Sequence, residues 1–381
     1  MEVSKLRDLF PIISEYGVAY FASCSYGPLS KPVMEALNKY KEDWELKGMN
    51  WDFWMEKYEE LRSEAAKLIG AKNDEIAIVS NVTTGIAAFA TSLNYESKNK
   101  VVLSDLNFPT VGHVWLSQRK LGANVNIIKS RNWALSLDDI RKYVDDNTIV
   151  LSEPRVCYQS GFAYNNIKEL AEIAHDHGAY FVLDDAQATG VMDIDVHKEG
   201  VDVLVTTTLK YLMGGAGVAI MYVREDIIEG LEPLITGWFG QENPFSFDIY
   251  DLDFAKSARR FETGSPAVPS VLTSVEAIKL IRKIGTKDIE SRVKSLVKYA
   301  TDRGIECGLD VLSPISEDNI GPMFVFKHDD PHDLYEKLLE KKIVTSPRGP
   351  AVRVALHFFN EKEDLDALFD SLKAFGVISE K

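Results

Sequence analysis

The stretch from Asp202 to Val223 carries the residues best suited to chemistry. It reads DVLVTTTLKYLMGGAGVAIMYV, in which a β-branched run leads through three threonines to Lys210 and a cluster of glycines follows. Ligands of open α/β sheets bind beyond the carboxyl ends of the strands, where an amine can form a Schiff base near a bound phosphate. The alternative is an exposed lysine on a turn, and on this segment alone that alternative is the better supported one.

A second predicted strand end, in YFVLDDAQATG (180–190), carries an acid and an amide three positions apart. Asp184 can pair with a protonated pyridine nitrogen, and Gln187 can hydrogen-bond a phenolic oxygen on the same ring. Capping of the next turn is the other common use of Asp184. A strand-end acid followed by a strand-end lysine indicates a site of this kind more specifically than either residue alone.

Two further segments follow predicted strands. In SNVTTG (80–85), backbone N–H groups at a helix start and the hydroxyls of Thr83 and Thr84 suit a phosphate, although N-capping is favoured from this segment alone. Phe108, in SDLNFPT (104–110), can stack on a flat ring or be a core aromatic. Walker A and GxGxxG patterns are absent, so neither a nucleoside triphosphatase nor a dinucleotide fold is indicated.

Short apolar strands alternate with amphipathic helices between residues 76 and 223. The predicted strands are 76–79, 101–104, 125–128, 148–152, 180–184, 202–206 and 218–223, and the predicted helices are 83–93, 111–121, 137–144 and 166–178. The strands are continuously apolar, which indicates that both faces of the sheet are covered. The pattern predicts an α/β fold with a mainly parallel sheet between helices. We predict a large domain over 18–265 and a smaller C-terminal α+β domain over 266–381. Residues 1–17 are predicted to belong to the smaller domain.

The composition excludes several classes of protein. The 381 residues are 45% hydrophobic and carry a net charge of −15, so we expect neither nucleic acid nor a membrane as partner. We find no apolar run long enough to cross a bilayer and no secretory signal. Cys24, Cys157 and Cys307 are scattered, which favours reduced thiols in a cytoplasmic protein, with no disulfide framework and no metal site.

Together, the four segments resemble the class V aminotransferase superfamily of pyridoxal 5′-phosphate (PLP) enzymes. The resemblance runs from about residue 18 to about residue 370, and it is specific to the superfamily rather than to one reaction. The superfamily includes aminotransferases, isopenicillin-N-epimerase-like proteins, cysteine desulfurases and kynureninases. The resemblance implies a large PLP-binding domain and implies that Lys210 holds the cofactor as a Schiff base.

The resemblance also implies roles for other residues. Asp184 would pair with the pyridine nitrogen, Gln187 would contact the phenolic oxygen, and Phe108 would stack on the ring. The residues implied for the phosphate are Thr83, Thr84 and Thr207. Arg353, in VRVAL, matches the arginine that holds the substrate α-carboxylate through two parallel hydrogen bonds. Tyr158 falls where relatives have a polar residue near the ring.

Two segments resemble contributions from a second subunit. GWFG (237–240) is similar to a kynureninase stretch whose tryptophan reaches the phosphate across a dimer, and RFETGSP (260–266) is similar to a loop that does likewise. This implies a homodimer with shared active sites, to which Trp238, Gly264 and Ser265 contribute across the interface. For Trp238 the alternative is packing without a phosphate contact.

Departures from the relatives narrow the reaction. The loop TSPRGPAV (345–352) lacks the cysteine that some desulfurases have there, and Leu209 stands where desulfurases have a histidine. Cys24 lies in a segment that lines the substrate pocket of relatives, although a buried apolar role is favoured for it. Lys210 is left as the proton carrier, which is the core of transamination and also serves racemisation and β-elimination.

We therefore predict a PLP-dependent aminotransferase that acts on a small amino acid. The alternative enzyme is a PLP-dependent lyase or hydrolase, either kynureninase-like or cleaving the C–S bond of cysteine. A non-catalytic protein of this fold is disfavoured because both Lys210 and Asp184 are present. An α/β binding protein without PLP would require all these matches to be accidental.

Overall fold

A computed structural model describes residues 3–378. The strands are β1 Ala19–Tyr20, β2 Ile76–Val79, β3 Lys100–Ser104, β4 Asn124–Ile128, β5 Thr148–Pro154, β6 Tyr180–Asp184, β7 Val203–Thr207, β8 Ala219–Val223, β9 Met323–Lys327, β10 Ile343–Val344, β11 Ser346–Arg348 and β12 Ala351–Ala355. The helices are α1 Val3–Arg7, α2 Pro11–Ser14, α3 Lys31–Lys47, α4 Trp51–Ile69, α5 Val82–Thr91, α6 Pro109–Ser117, α7 Leu137–Arg141, α8 Ile167–His175, α9 Glu225–Ile228, α10 Val268–Ile284, α11 Thr286–Glu306, α12 Pro331–Glu340 and α13 Lys362–Ala374.

The centre of the molecule is a seven-stranded sheet in the order β2-β8-β7-β6-β5-β3-β4. Strands β4, β3, β5, β6 and β7 are parallel to one another, and only β8 runs against its neighbours β7 and β2. The chain between β7 and β8 is too short for a crossover helix, so β8 must return beside β7 in the opposite direction. The predicted α/β class with a mainly parallel sheet is confirmed.

Burial on both faces explains why the strands are continuously apolar. Every residue of β2, β5, β7 and β8 is buried, and one hydrophobic cluster covers each face of the sheet. Each of the seven predicted strands is present, with ends shifted by at most two residues. The predicted helix at 137–144 is shorter and ends at Arg141, and the one at 111–121 begins earlier, at Pro109.

The C-terminal part contains a second, antiparallel sheet in the order β11-β12-β9. Helix α11 packs on β9, whereas α10 packs against α3 and α4, which precede the large sheet in the chain. The short strand β1 pairs with β10, and the Arg7 side chain donates to the carbonyl oxygen of Phe359 and to Asp364, each at 2.7 Å. These contacts hold the N-terminal segment against the C-terminal part.

No helix within residues 3–378 is long and apolar enough to cross a bilayer. The same residues contain no group of three or more His, Cys, Asp or Glu side chains arranged to hold a metal ion.

Candidate active site

The carboxyl ends of five strands meet at one edge of the large sheet. Strands β2, β3, β5, β6 and β7 all run in the same direction, since β8 reverses between β7 and β2. The predicted site residues that follow or end these strands are Thr83, Thr84, Phe108, Tyr158, Asp184, Gln187, Thr207 and Lys210. The parallel arrangement therefore brings most of the predicted site to a single edge.

Lys210 lies on a compact turn between β7 and β8. The Thr208 hydroxyl accounts for the turn's shape, because it donates to the carbonyl oxygens of Gly215 and Val218 at 2.8 and 3.0 Å. Met213 has a φ of 59°, a left-handed conformation that a non-glycine residue rarely adopts. Within residues 3–378 the Lys210 Nζ atom makes no hydrogen bond or ion pair, and it lies 5.7 Å from the centre of the Phe108 ring.

The charges around Lys210 are those of a reactive amine. Burial among protein atoms lowers the pKa of Lys210, and the Asp184 carboxylate opposes this shift. Burial also raises the pKa of Asp184, with Lys210 and the Ala186 N–H acting against it. Asp184 is 7% exposed, and its Oδ1 accepts the Ala186 N–H at 3.0 Å. An amine with a lowered pKa is deprotonated more readily and is the better nucleophile.

Residues 24–27 lie against the lysine turn and against Gln187. The Gln187 Nε2 donates to the Cys24 carbonyl at 3.0 Å, while the buried Gln187 Oε1 has no partner within the described chain. The Gly27 N–H donates to the Leu209 carbonyl at 2.8 Å. A Cβ at position 27 would stand 2.4 Å from the Lys210 carbonyl oxygen, so only glycine allows this approach. Gly27 is not among the residues predicted for the site.

The predicted phosphate residues lie where two helices begin. Asn81 caps α5, since its Oδ1 accepts from the Thr84 N–H at 2.9 Å and from the Thr84 hydroxyl at 3.1 Å. The Thr83 hydroxyl is 2.7 Å from the hydroxyl of Thr110, in the first turn of α6. The hydroxyl contact thus brings two helix starts together, and helix starts suit an anion. Thr207 ends β7 at the same edge and is buried.

Phe108 and Tyr158 form a T-shaped pair, with ring centres 5.0 Å apart and planes at 77°. Phe108 is 39% exposed, which is unusual for a core aromatic and leaves part of its ring accessible for stacking. Asn107 fixes this loop, because its Nδ2 donates to the carbonyls of Ser104 and Ser152, both at 3.1 Å. Asn107 thus ties together the ends of β3 and β5, a role that sequence analysis missed.

Arg353, on β12, reaches this edge from the C-terminal part. It is 1% exposed, and its Nη1 donates to the Tyr158 carbonyl at 3.0 Å. Its other hydrogen bonds within the described residues go to Ser25 and Ser346, and none goes to a carboxylate. A buried guanidinium that lacks an anionic partner is suited to an anionic ligand. The aromatic pair and Arg353 are therefore joined through Tyr158.

The residues predicted to act across a subunit interface are half-buried or exposed. Trp238 makes ring contacts with Trp51, Phe239, Phe245 and Phe247, at centre distances between 4.5 and 6.1 Å. Gly264 and Ser265 are exposed. Nothing lies within 4 Å of the place that a Gly264 side chain would take. Contacts within the described residues join Lys210, Phe108, Tyr158 and Arg353, and the segment 24–27 joins them to Gln187. Asp184 interacts electrostatically with Lys210.

The fold and this strand edge define a PLP-dependent enzyme of the α/β class. The chain belongs to the class-V aminotransferase family, whose model matches residues 19–368. It is 37% identical over 369 residues to the "Uncharacterized aminotransferase YcbU" of Bacillus subtilis (strain 168), with 97% of this chain and 96% of that protein covered. The resemblance inferred from the sequence and the cofactor that it implied are confirmed.

Other relatives have different names. A "Probable cysteine desulfurase" of Methanothermobacter thermautotrophicus (strain Delta H) is 25% identical over 403 residues, which cover 98% of each protein. The structure of an apo cysteine desulfurase from Thermococcus onnurineus NA1 matches with a TM-score of 0.87 at 24% identity, covering 98% of this chain and 97% of that one. This structural likeness shows the fold, and the family membership leaves the particular reaction open.

The residues at the strand edge fit PLP chemically. A desolvated amine suits the aldehyde, and a buried carboxylate suits a protonated ring nitrogen. The buried Gln187 Oε1, which has no partner within residues 3–378, suits a hydroxyl donor, and Arg353, which pairs with no carboxylate there, suits an anion. Two helix starts suit the phosphate.

Proposed function

We propose that this protein is a PLP-dependent aminotransferase that acts on a small amino acid, with Lys210 as the residue covalently attached to the cofactor. The observation that carries the proposal is the desolvated Lys210 amine, which has no hydrogen-bond partner in residues 3–378 and stands in the field of Asp184. The 37% identity to a protein named as an aminotransferase supports the same activity.

Each residue of the strand edge has a distinct task in this proposal. When bound, PLP supplies an electron-withdrawing ring that accepts electrons from a bond at the substrate Cα. Asp184 would keep the ring nitrogen protonated, and Gln187 would hold the phenolic oxygen. The hydroxyls proposed for phosphate binding are those of Thr83, Thr84 and Thr207. Phe108 would stack on the ring and hold it in place.

Lys210 and Arg353 are the residues that would act on the substrate, Lys210 by proton transfer and Arg353 by binding. The lowered pKa of Lys210 favours a neutral Nζ, which would accept the proton of the substrate Cα and hold it for return to the same bound molecule. Return of that proton, rather than loss of a side-chain group, would distinguish transamination from elimination. Arg353 would bind the α-carboxylate beside Tyr158 and so orient the Cα–H bond toward the lysine.

A second candidate function is a lyase or hydrolase, and Cys24 is the observation that favours a C–S-cleaving one. Its thiol is 1% exposed in the segment that receives the Gln187 hydrogen bond, and relatives are named as probable cysteine desulfurases. Two facts count against it. The hairpin of β11 and β12, to which Arg353 belongs, contains no thiol. Burial raises the pKa of the Cys157 thiol, which makes it a poor nucleophile.

We further propose a homodimer whose subunits complete each other's phosphate sites. The surface around Trp238 is unusually apolar for a monomer, since Phe247, Ile249 and Tyr250 are 70%, 85% and 94% exposed. Gly264 and Ser265 are exposed and are free to contact a second copy. An apolar surface of this kind supports a permanent interface.

The test is an absorbance titration of the PLP-loaded protein with a panel of amino acids, followed by product analysis. Transamination predicts that the absorbance of bound PLP gives way to that of the pyridoxamine form, with an equimolar 2-oxo acid released. Retained PLP absorbance with release of sulfide, pyruvate or anthranilate would replace the aminotransferase by the lyase or hydrolase. Protein without PLP serves as the control for contaminating enzymes.

A further inference from the structure

The hydrogen bonds of Arg353 leave little of its guanidinium free. The group has five N–H bonds. Its Nε donates to the Ser346 carbonyl at 3.2 Å and its Nη1 to the Tyr158 carbonyl at 3.0 Å. Both Nη2 hydrogens go to hydroxyls, of Ser25 at 3.0 Å and of Ser346 at 2.7 Å. One N–H, on Nη1, remains, so Arg353 in this arrangement can offer a carboxylate one bond and not two.

Ser25 is the neighbouring group that can supply the second bond. Its hydroxyl lies 2.7 Å from the Ser346 hydroxyl, and either of the two can be the donor. Ser346 is buried, whereas Ser25 is half-buried, so Ser25 is the more accessible of the two serines that contact Arg353. When Ser346 donates to Ser25, the Ser25 hydrogen is free to point at a ligand. The flanking contacts, Cys24 to Gln187 and Gly27 to the lysine turn, fix Ser25 within the site.

We infer that Ser25 is a second ligand of the substrate carboxylate, donating its hydroxyl hydrogen to one oxygen while the free Nη1 hydrogen of Arg353 is donated to the other. This inference rests on the proposed function, since it requires an α-carboxylate at Arg353. It narrows the substrate class to amino acids with a free α-carboxylate, because an amine or an amide would leave the positive charge of Arg353 without a counter-ion. Ser346 is a positioning residue, because its hydrogen bond fixes the direction of the Ser25 hydroxyl.

The experiment measures carboxylate binding separately from turnover. Propionate, which has the carboxylate but no amino group, is titrated by calorimetry into the PLP-loaded protein, with propionamide as the uncharged comparison. Ser25→Ala is expected to weaken propionate binding about tenfold, the usual effect of losing a hydrogen bond to a charged group. With the best amino donor, KM should rise by a similar factor while kcat is unchanged, and Ser25→Thr should restore both values.

Ser23→Ala is the matched control, since Ser23 is a buried serine of the same segment whose hydroxyl has no partner within the described residues. Arg353→Lys, which keeps the charge but loses the planar group, separates the two proposals. If Arg353→Lys weakens propionate binding and Ser25→Ala does not, the role of Ser25 is wrong while the carboxylate site stands. If propionate does not bind, or neither variant affects it, the carboxylate site of the proposed function is wrong, and the role of Ser25 fails with it.

Discussion

At the scale of single residues, Lys210 combines properties that seldom occur together on a lysine. Burial lowers the pKa of its amine, while Asp184 is the carboxylate that opposes this shift. Most lysines of this chain are exposed or paired with acids, as Lys41 is with Glu45. The amine is thus kept reactive by its surroundings rather than by its type.

Lys210→Ala is expected to abolish the covalent attachment of PLP that borohydride reduction makes permanent, because reduction fixes only an imine formed with an amine. Lys41→Ala, on the exposed face of α3, should keep this attachment in full. The measurement is the mass of the intact protein after reduction and removal of unattached PLP. A reduced adduct in the Lys210 variant would show that another amine attaches the cofactor.

Glu153 is a second unusual residue, buried below the site at the end of β5. It is 0% exposed, the Ser104 hydroxyl lies 2.5 Å from its Oε2, and its Oε1 has no partner in the described chain. Burial raises the pKa of Glu153 to about 8, with Ser104 acting against the shift. The folded protein therefore holds this carboxyl neutral at pH 7, whereas the unfolded chain ionises it.

The stability of the protein should show this difference. With the pKa of the folded state above that of the unfolded state, the contribution of Glu153 is fully present below about pH 4.5 and is lost as pH rises through about 8. Glu153→Gln cannot ionise, so its stability does not fall in this way as the pH rises. Its free energy of unfolding relative to the wild type should therefore increase by at most about 1.4 kcal/mol per pH unit in this window. Urea unfolding at pH 5, 6.5 and 8 measures it.

Glu56→Gln, at an exposed position of α4, is the control for the loss of one negative charge, and its effect should not change with pH in this way. A Glu153→Gln variant with a constant stability difference from pH 5 to 8 would mean that Glu153 is ionised in the folded protein.

At the scale of elements, the site depends on how closely the segment after β1 approaches the lysine turn. Gly27 is the point of contact, since a Cβ there would lie 2.4 Å from the Lys210 carbonyl oxygen and 2.7 Å from the Met213 Cα. Both are backbone atoms, and Met213 already has a left-handed conformation, so the turn cannot yield without moving the amine.

Gly27→Ala is expected to lower the affinity for PLP at least about tenfold and to destabilise the protein by about 1–3 kcal/mol, the usual cost of overpacking. Gly112→Ala is the matched control, because nothing lies within 4 Å of the added methyl group. Within α6 that alanine should stabilise by about 0.5–1 kcal/mol. PLP titration and thermal unfolding of both variants measure these effects. Equal PLP affinity in the two variants would contradict the close approach at Gly27.

At the scale of the whole molecule, a large apolar surface lies around Trp238 and includes the exposed side chains of Phe247, Ile249 and Tyr250. Burying Phe247, Ile249 and Tyr250 against a second copy would remove them from water, which is the main driving force of association. A symmetric dimer would bury this surface twice.

Shared sites predict that two inactive variants rescue each other. Lys210→Ala lacks the amine, and a Trp238→Ala, Ser265→Ala double variant lacks the residues proposed to act across the interface. Dimers that combine one subunit of each kind have one intact site, so up to about half of the activity per mixed dimer should return. Mass spectrometry confirms that mixed dimers form. Confirmed mixed dimers without activity would mean that each subunit has a self-contained site.

The order and type of the main elements follow from the sequence, because the hydrophobic pattern of each strand is local. Continuous apolar runs gave the seven strands, and the parallel direction of five of them brought Asp184 and Lys210 to one edge. The predicted end of α7 was wrong by three residues, since Tyr143 and Val144 form only turn contacts after Arg141. Helix ends depend on such contacts more than on periodicity.

Three features depended on tertiary structure. The hydrogen bond from Arg353 to Ser25 joins residues 328 positions apart, and the one from Gln187 to Cys24 joins residues 163 apart. No periodicity links such residues, since each pair meets only when segments far apart in the chain pack together. The neutral state of Glu153 likewise depends on complete burial. The sequence by itself determined at which strand ends Asp184 and Lys210 lie, because a strand is recognised from its own apolar residues. Only the tertiary structure decided how Arg353 is held and which neighbours surround it, because those contacts come from segments far apart in the chain.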